Sequence, residues 1–82
     1  MESKHLTWLL KNIKPKTAEY EIRSKHDLSI LGIVKWYPSW RQYCFFPELN
    51  CVWSKDCLYD LQALIFEFNI EHKKRKREND AL

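Results

Sequence analysis

The stretch L-S-I-L-G-I-V-K-W-Y-P-S-W-R-Q-Y-C-F-F-P, residues 28–47, decides the fold. Its first half, Leu28 to Tyr37, is rich in β-branched and aromatic residues and carries the longest strand signal in the chain. Leu28, Ile30, Val34 and Trp36 share one side of that strand. Leu31, Ile33 and Tyr37 share the other, interrupted only by Ser29 and Lys35. A strand that is apolar on both sides belongs in the middle of a sheet. Gly32, the single glycine, lies mid-strand, where a bulge or a close approach by another side chain is expected. Pro38-Ser39 reads as a turn, and Trp40 to Phe46 returns as the next strand, ended by Pro47.

Outward from this hairpin, Ala18 to Arg23 alternates with period two. Tyr20 and Ile22 lie on one side and Glu19, Glu21 and Arg23 on the other, the mark of a half-buried strand. The polar cluster Ser24-Lys25-His26-Asp27 is the turn that joins it to the hairpin. Nearer the N-terminus, Leu6, Leu9, Leu10 and Ile13 fall at i, i+3, i+4 and i+7, which predicts a short amphipathic helix between Ser3 and Lys14, stopped by Pro15. Beyond the short extended piece Cys51-Val52-Trp53, Ser54 is placed as an N-cap with Asp56 in the first turn of a long helix. Cys57, Leu58, Leu61, Leu64, Ile65 and Phe68 form its core stripe, widened by Phe66 and Ile70, and Asp60, Glu67 and Glu71 mark its solvated side. A Glu71–Arg75 pair at i, i+4 lets the helix run into the basic segment, with 78–82 fraying. The expected architecture is therefore α+β: a short N-terminal helix, a three-stranded antiparallel meander and a long C-terminal helix packed on one sheet face. Residues 1–72 form one domain and 73–82 a basic helix extension with a frayed tail.

Composition limits the function classes. Of 82 residues, 45% are apolar and 15% aromatic, which excludes a disordered chain and compensates for the small core of so short a domain. Cys44, Cys51 and Cys57 match no zinc or redox spacing; they read as free thiols in a reducing cytosol, with a Cys44–Cys57 disulfide or a ligand role as the alternative. Met1-Glu2-Ser3-Lys4 carries no apolar leader, and no uncharged run is long enough to span a bilayer, so the expectation is a soluble protein of the host-cell cytoplasm with no membrane contact. Fourteen cations stand against eleven anions, but five of the cations lie in Lys73-Lys74-Arg75-Lys76-Arg77. Elsewhere nine cations face eleven anions, so the folded body is slightly acidic and no basic face covers it. His5, His26 and His72 fall on different elements, no nucleophile sits beside a base at a recognisable spacing, and one glycine cannot build a phosphate loop. The expectation is a binding protein, not an enzyme, with no cofactor and no metal site.

From about Leu31 to Phe68 the sequence L-G-I-V-K-W-Y-P-S-W-R-Q-Y-C-F-F-P, a short loop and C-L-Y-D-L resembles a group of small uncharacterised phage and prophage proteins. These carry a glycine in a strand, then W-Y-x-x-W-R-x-Y-x-F-x-P, then C-L-x-D-I opening a helix. The resemblance covers a little under half of the chain. It implies a hairpin followed by a helix and a viral or mobile-element origin, and no catalysis.

The aromatic hairpin has two readings. Its rings are either the core and its lid, or, on a sheet covered on one face only, they leave a sticky platform of Lys35, Trp36, Tyr37, Trp40, Arg41 and Tyr43. On either reading the Arg41 guanidinium can stack on an indole across the turn and stiffen the hairpin, and the platform reading expects Arg41 and Tyr43 to be exposed. The function expected from it is the binding of a host or phage protein, with inhibition of a host defence protein as a narrower form and homodimerisation as a further possibility. The alternative is a nucleic-acid-binding module using Lys73, Lys74, Arg75, Lys76 and Arg77 together with the aromatic sheet face. The helix-strand-strand-strand-helix order matches that of double-stranded RNA-binding domains, although Ser54-Lys55-Asp56 lacks their lysine cluster.

Overall fold

The computed structural model describes residues 4–80, with the helix end from residue 76 as backbone only. Four antiparallel strands form one sheet in sequence order: β1 (Leu6–Ile13), β2 (Ala18–Ser24), β3 (Ile30–Tyr37) and β4 (Gln42–Pro47). One helix, α1 (Lys55–Asp80), packs across it. The class is α+β, but the first element is a strand where the apolar spacing predicts a helix. The helix-first order shared with double-stranded RNA-binding domains therefore does not hold.

A bulge explains the misreading. Leu10 pairs with Tyr20 and Ile13 with Ala18, with a register shift between Leu10 and Asn12. The extra residue puts a three-residue step on one face of a strand, which imitates helical spacing. The β1–β2 turn is closed by the Lys14 N–H donating to the Thr17 carbonyl at 2.8 Å, with Pro15 and Lys16 between them. As a strand paired with β2, β1 places Leu6 fully buried in the cluster formed with the other strands and α1.

The other boundaries shift for conformational reasons. Leu28 has φ of 61° and closes the β2–β3 turn, its N–H donating to the Ser24 carbonyl at 2.9 Å, so β3 starts at Ile30. Arg41 has φ of 53°, so the β3–β4 connection spans 38–41 rather than a two-residue Pro38-Ser39 turn. A second register shift on β3, between the Ile22–Gly32 and Arg23–Ile30 pairs, matches the expected irregularity beside Gly32. A Cβ at Gly32 would lie 2.5 Å from the Phe46 carbonyl oxygen and 2.5 Å from the Phe45 ring. The backbone oxygen cannot step aside, so the absent side chain is what lets β3 and β4 approach here.

The core lies between the sheet and α1: Leu6, Ile22, Val34, Tyr43, Leu61 and Leu64, flanked by Trp8, Tyr20, Trp36, Phe45, Trp53 and Phe68 among others. Ser54 caps the helix as its sequence predicts, its Oγ accepting from the Cys57 N–H at 3.1 Å. Leu61, Leu64, Ile65 and Phe68 face the sheet, whereas Leu58 and Phe66 of the anticipated stripe are exposed. Asp60 is not simply solvated, since its Oδ2 accepts from the His5 N–H at 3.1 Å and ties α1 to the start of β1. Glu71 lies 4.0 Å from Lys74, at i, i+3. At about 1.5 Å per residue, 26 residues of helix exceed the length of an eight-residue strand, and α1 runs on past the sheet. Residues 81–82 of the anticipated frayed tail lie outside the described residues.

Candidate interaction surface

Strand alternation sorts the hairpin aromatics onto two faces. Pairing of Val34 with Phe45 and of Trp36 with Tyr43 places these four on the helix side. Tyr43 is only 6% exposed, which corrects the expectation that it lies on the surface. Its backbone N–H donates to Asn69 Oδ1 on α1 at 2.8 Å, and its hydroxyl accepts from the Ala18 N–H at 3.2 Å. Trp36 meets the Tyr43 ring edge-on at 5.6 Å and lies 4.3 Å from the His72 ring. Both residues belong to the layer that holds helix to sheet.

The opposite face carries the surface. Here Lys35 Nζ lies 4.5 Å from the centroid of the Phe46 ring, and Tyr37 meets the same ring edge-on at 6.0 Å. Trp40 leans edge-on against Tyr37 at 5.1 Å and is 66% exposed. The cation on a ring in this hairpin is thus Lys35 on Phe46, not Arg41 on an indole. Arg41 is exposed, carried by its left-handed backbone out of the strand. Lys14, Glu19, Lys35, Trp36, Tyr37, Pro38 and Phe46 are among the residues lining a shallow groove of about 490 Å³ between the two hairpin turns.

The groove is weakly polarised. Lys14 Nζ lies 3.1 Å from Glu19 Oε2, and this hydrogen bond, helped by the charges of Lys14 and Lys35 and by Asn12, holds the Glu19 carboxyl below the usual carboxylate range against the effect of burial. Farther along the open face, Arg23 pairs with Glu21 at 2.7 Å, and Leu9 is half exposed. Phe46, Lys14 and Glu19 were not among the residues expected here. Phe46 follows from strand alternation once Tyr43 is assigned to the core; the two turns come together only through the added β1–β2 hairpin.

The remaining predicted residues lie elsewhere. Lys73, Lys74 and Arg75 are exposed on α1; the side chains of Lys76 and Arg77 lie outside the described residues. Cys44, Cys51 and Cys57 are free thiols, with no Cys44–Cys57 disulfide, and burial pushes the Cys44 thiol up. Among the described residues no group of three His, Cys, Asp or Glu side chains could hold a metal ion, and no helix is long and apolar enough to cross a membrane. Compared with known proteins, the chain matches no family model, no curated protein and no solved structure.

Proposed function

We propose that this chain is a non-enzymatic accessory protein of a phage or mobile element that binds a host or phage protein through the open face of the β3–β4 hairpin. Inhibition of a host or defence protein is the outcome that suits so small a binder. The observation that carries the reading is the run Phe46–Tyr37–Trp40, stepping from half-buried to largely exposed on a sheet face that the described chain leaves uncovered, with Lys35 and Arg41 at its margin. Exposed aromatic and Arg side chains beside a groove are what a protein hot spot uses, and a partner with apolar side chains flanked by carboxylates fits them. The resemblance to phage and prophage proteins rests on the same hairpin.

Pull-down with the full chain tests this. A stoichiometric partner retained after nuclease treatment and after removal of 73–82, and lost with Trp40→Ala and Arg41→Ala, is expected. A partner held equally well by those variants overturns it. Self-association belongs to the same reading, because β1 is an edge strand that exposes Leu9 and Ile13. Light scattering at high micromolar concentration is expected to give the mass of two chains, and the mass of one chain rejects the dimer.

A second reading, nucleic-acid binding, is favoured by the exposed Lys73, Lys74 and Arg75 on a helix that projects past the sheet. It predicts affinity for mixed oligonucleotides that falls steeply with salt and disappears on truncation after His72.

A further inference from the structure

On the helix side of the sheet, meeting the hairpin groove only at Lys14 and Thr17 among the described residues, the β1–β2 hairpin and the projecting part of α1 enclose a cleft of about 600 Å³. That lies within the range of small-molecule sites, roughly 300–1,000 Å³. Leu10, Ile13 and Pro15 give it an apolar wall, His72 and Arg75 close it from the helix, and Lys14 and Lys16 stand at the turn. Among the described residues, none that lines it is a carboxylate. Lys14 is already paired with Glu19 at 3.1 Å, which leaves, among the described residues, Lys16 and Arg75 as the cations available to a ligand.

The walls are anchored. The Tyr20 ring, which contributes to the lining, stacks on Phe68 at 4.2 Å, and burial raises its hydroxyl above the usual phenol value, so it stays a neutral donor at pH 7. The Ala18 N–H is held by the Tyr43 hydroxyl, the Lys14–Thr17 hydrogen bond fixes the turn, and His72 rests on Trp36. A site held from three directions costs little reorganisation to fill.

Leu10 is 53% and Ile13 72% exposed, and they line the same cleft as two cations that have no carboxylate partner among the described residues. A bare anion would leave the apolar wall unused, and an apolar molecule would leave the cations uncompensated. We infer that this cleft binds a nucleoside phosphate, its base and sugar against Leu10, Ile13 and Pro15 and its phosphate between Lys16 and Arg75. The shared chemistry comes from either a free nucleotide or the phosphorylated end of a strand.

The test is an amide NMR titration of the full chain with AMP, adenosine, inorganic phosphate and a short oligonucleotide with or without a 5′-phosphate. AMP is expected to shift the signals of Ala18, Tyr20 and His72, and to bind at least about tenfold more tightly than adenosine or phosphate, each of which uses half of the site. Lys16→Gln and Arg75→Gln, both at exposed positions, are each expected to weaken AMP binding about tenfold with no change in melting temperature. Tighter binding of the 5′-phosphorylated oligonucleotide than of AMP at these same signals assigns the site to strand ends, and the reverse order assigns it to free nucleotides. Equal binding of AMP and phosphate, shifts confined to Lys73 and Lys74, indifference to Arg75→Gln, or no shift at millimolar AMP each overturns the inference. None of these results bears on the hairpin surface, which Trp40→Ala tests separately.

Discussion

Tyr43 and Phe46 stand three residues apart on β4 and serve opposite faces of one sheet. Around Tyr43 lie the rings of Tyr20, Trp36, Phe68 and His72, and both its backbone N–H and its hydroxyl are bonded to other elements. Phe46 has a lysine over its ring and a tyrosine at its edge, on a face that no helix covers among the described residues. The same kind of residue is structural on one face and available on the other, so richness in aromatics says nothing about binding until the strand register is known.

This contrast predicts a graded mutational response. Leu64→Ala, in the middle of the covered face at 1% exposure, should lower unfolding free energy by about 3 kcal/mol in urea denaturation. Gly32→Ala should cost about 2–3 kcal/mol, because its methyl meets a backbone oxygen. Asn69→Ala should cost about 1–2 kcal/mol by leaving the Tyr43 N–H unpartnered. On the open face, Trp40→Ala should change stability by less than about 0.5 kcal/mol while abolishing partner binding. A cost there as large as that of Leu64→Ala would erase the distinction between the faces. The smallest effect belongs to Glu19. Its carboxyl pKa is lower folded than its ordinary value of 4.5, so the stability it contributes is present above that value and is lost as the pH falls through the folded pKa. Acid melts of the native chain and Glu19→Gln should therefore diverge slightly at neutral pH and converge in acid.

Much of the covered face is legible in the sequence. Tyr20 and Ile22 alternate cleanly, β3 is apolar on both sides, and Ser54 announces the helix. β1 is not legible, since the bulge between Leu10 and Asn12 turns a strand pattern into a helical one, and the wider sheet depends on that strand. The open face was harder to read for a related reason. The sequence groups Gln42, Cys44 and Phe46 against Tyr43 and Phe45 without saying which set meets the helix, a choice made by burial between distant elements. Arg41 is exposed as expected but lies in the turn and not in the strand, because nothing in W-R-Q announces a left-handed backbone at an arginine.

Photo-cross-linking from position 40 in the expressing cell, with position 66 as comparator, tests the central claim most directly. Trp40 and Phe66 are similarly exposed, at 66% and 63%, but Phe66 lies on α1 and away from the open sheet face. The account predicts one dominant protein adduct from position 40 and none from position 66. An adduct from position 66 alone, or the same adducts from both, would contradict it.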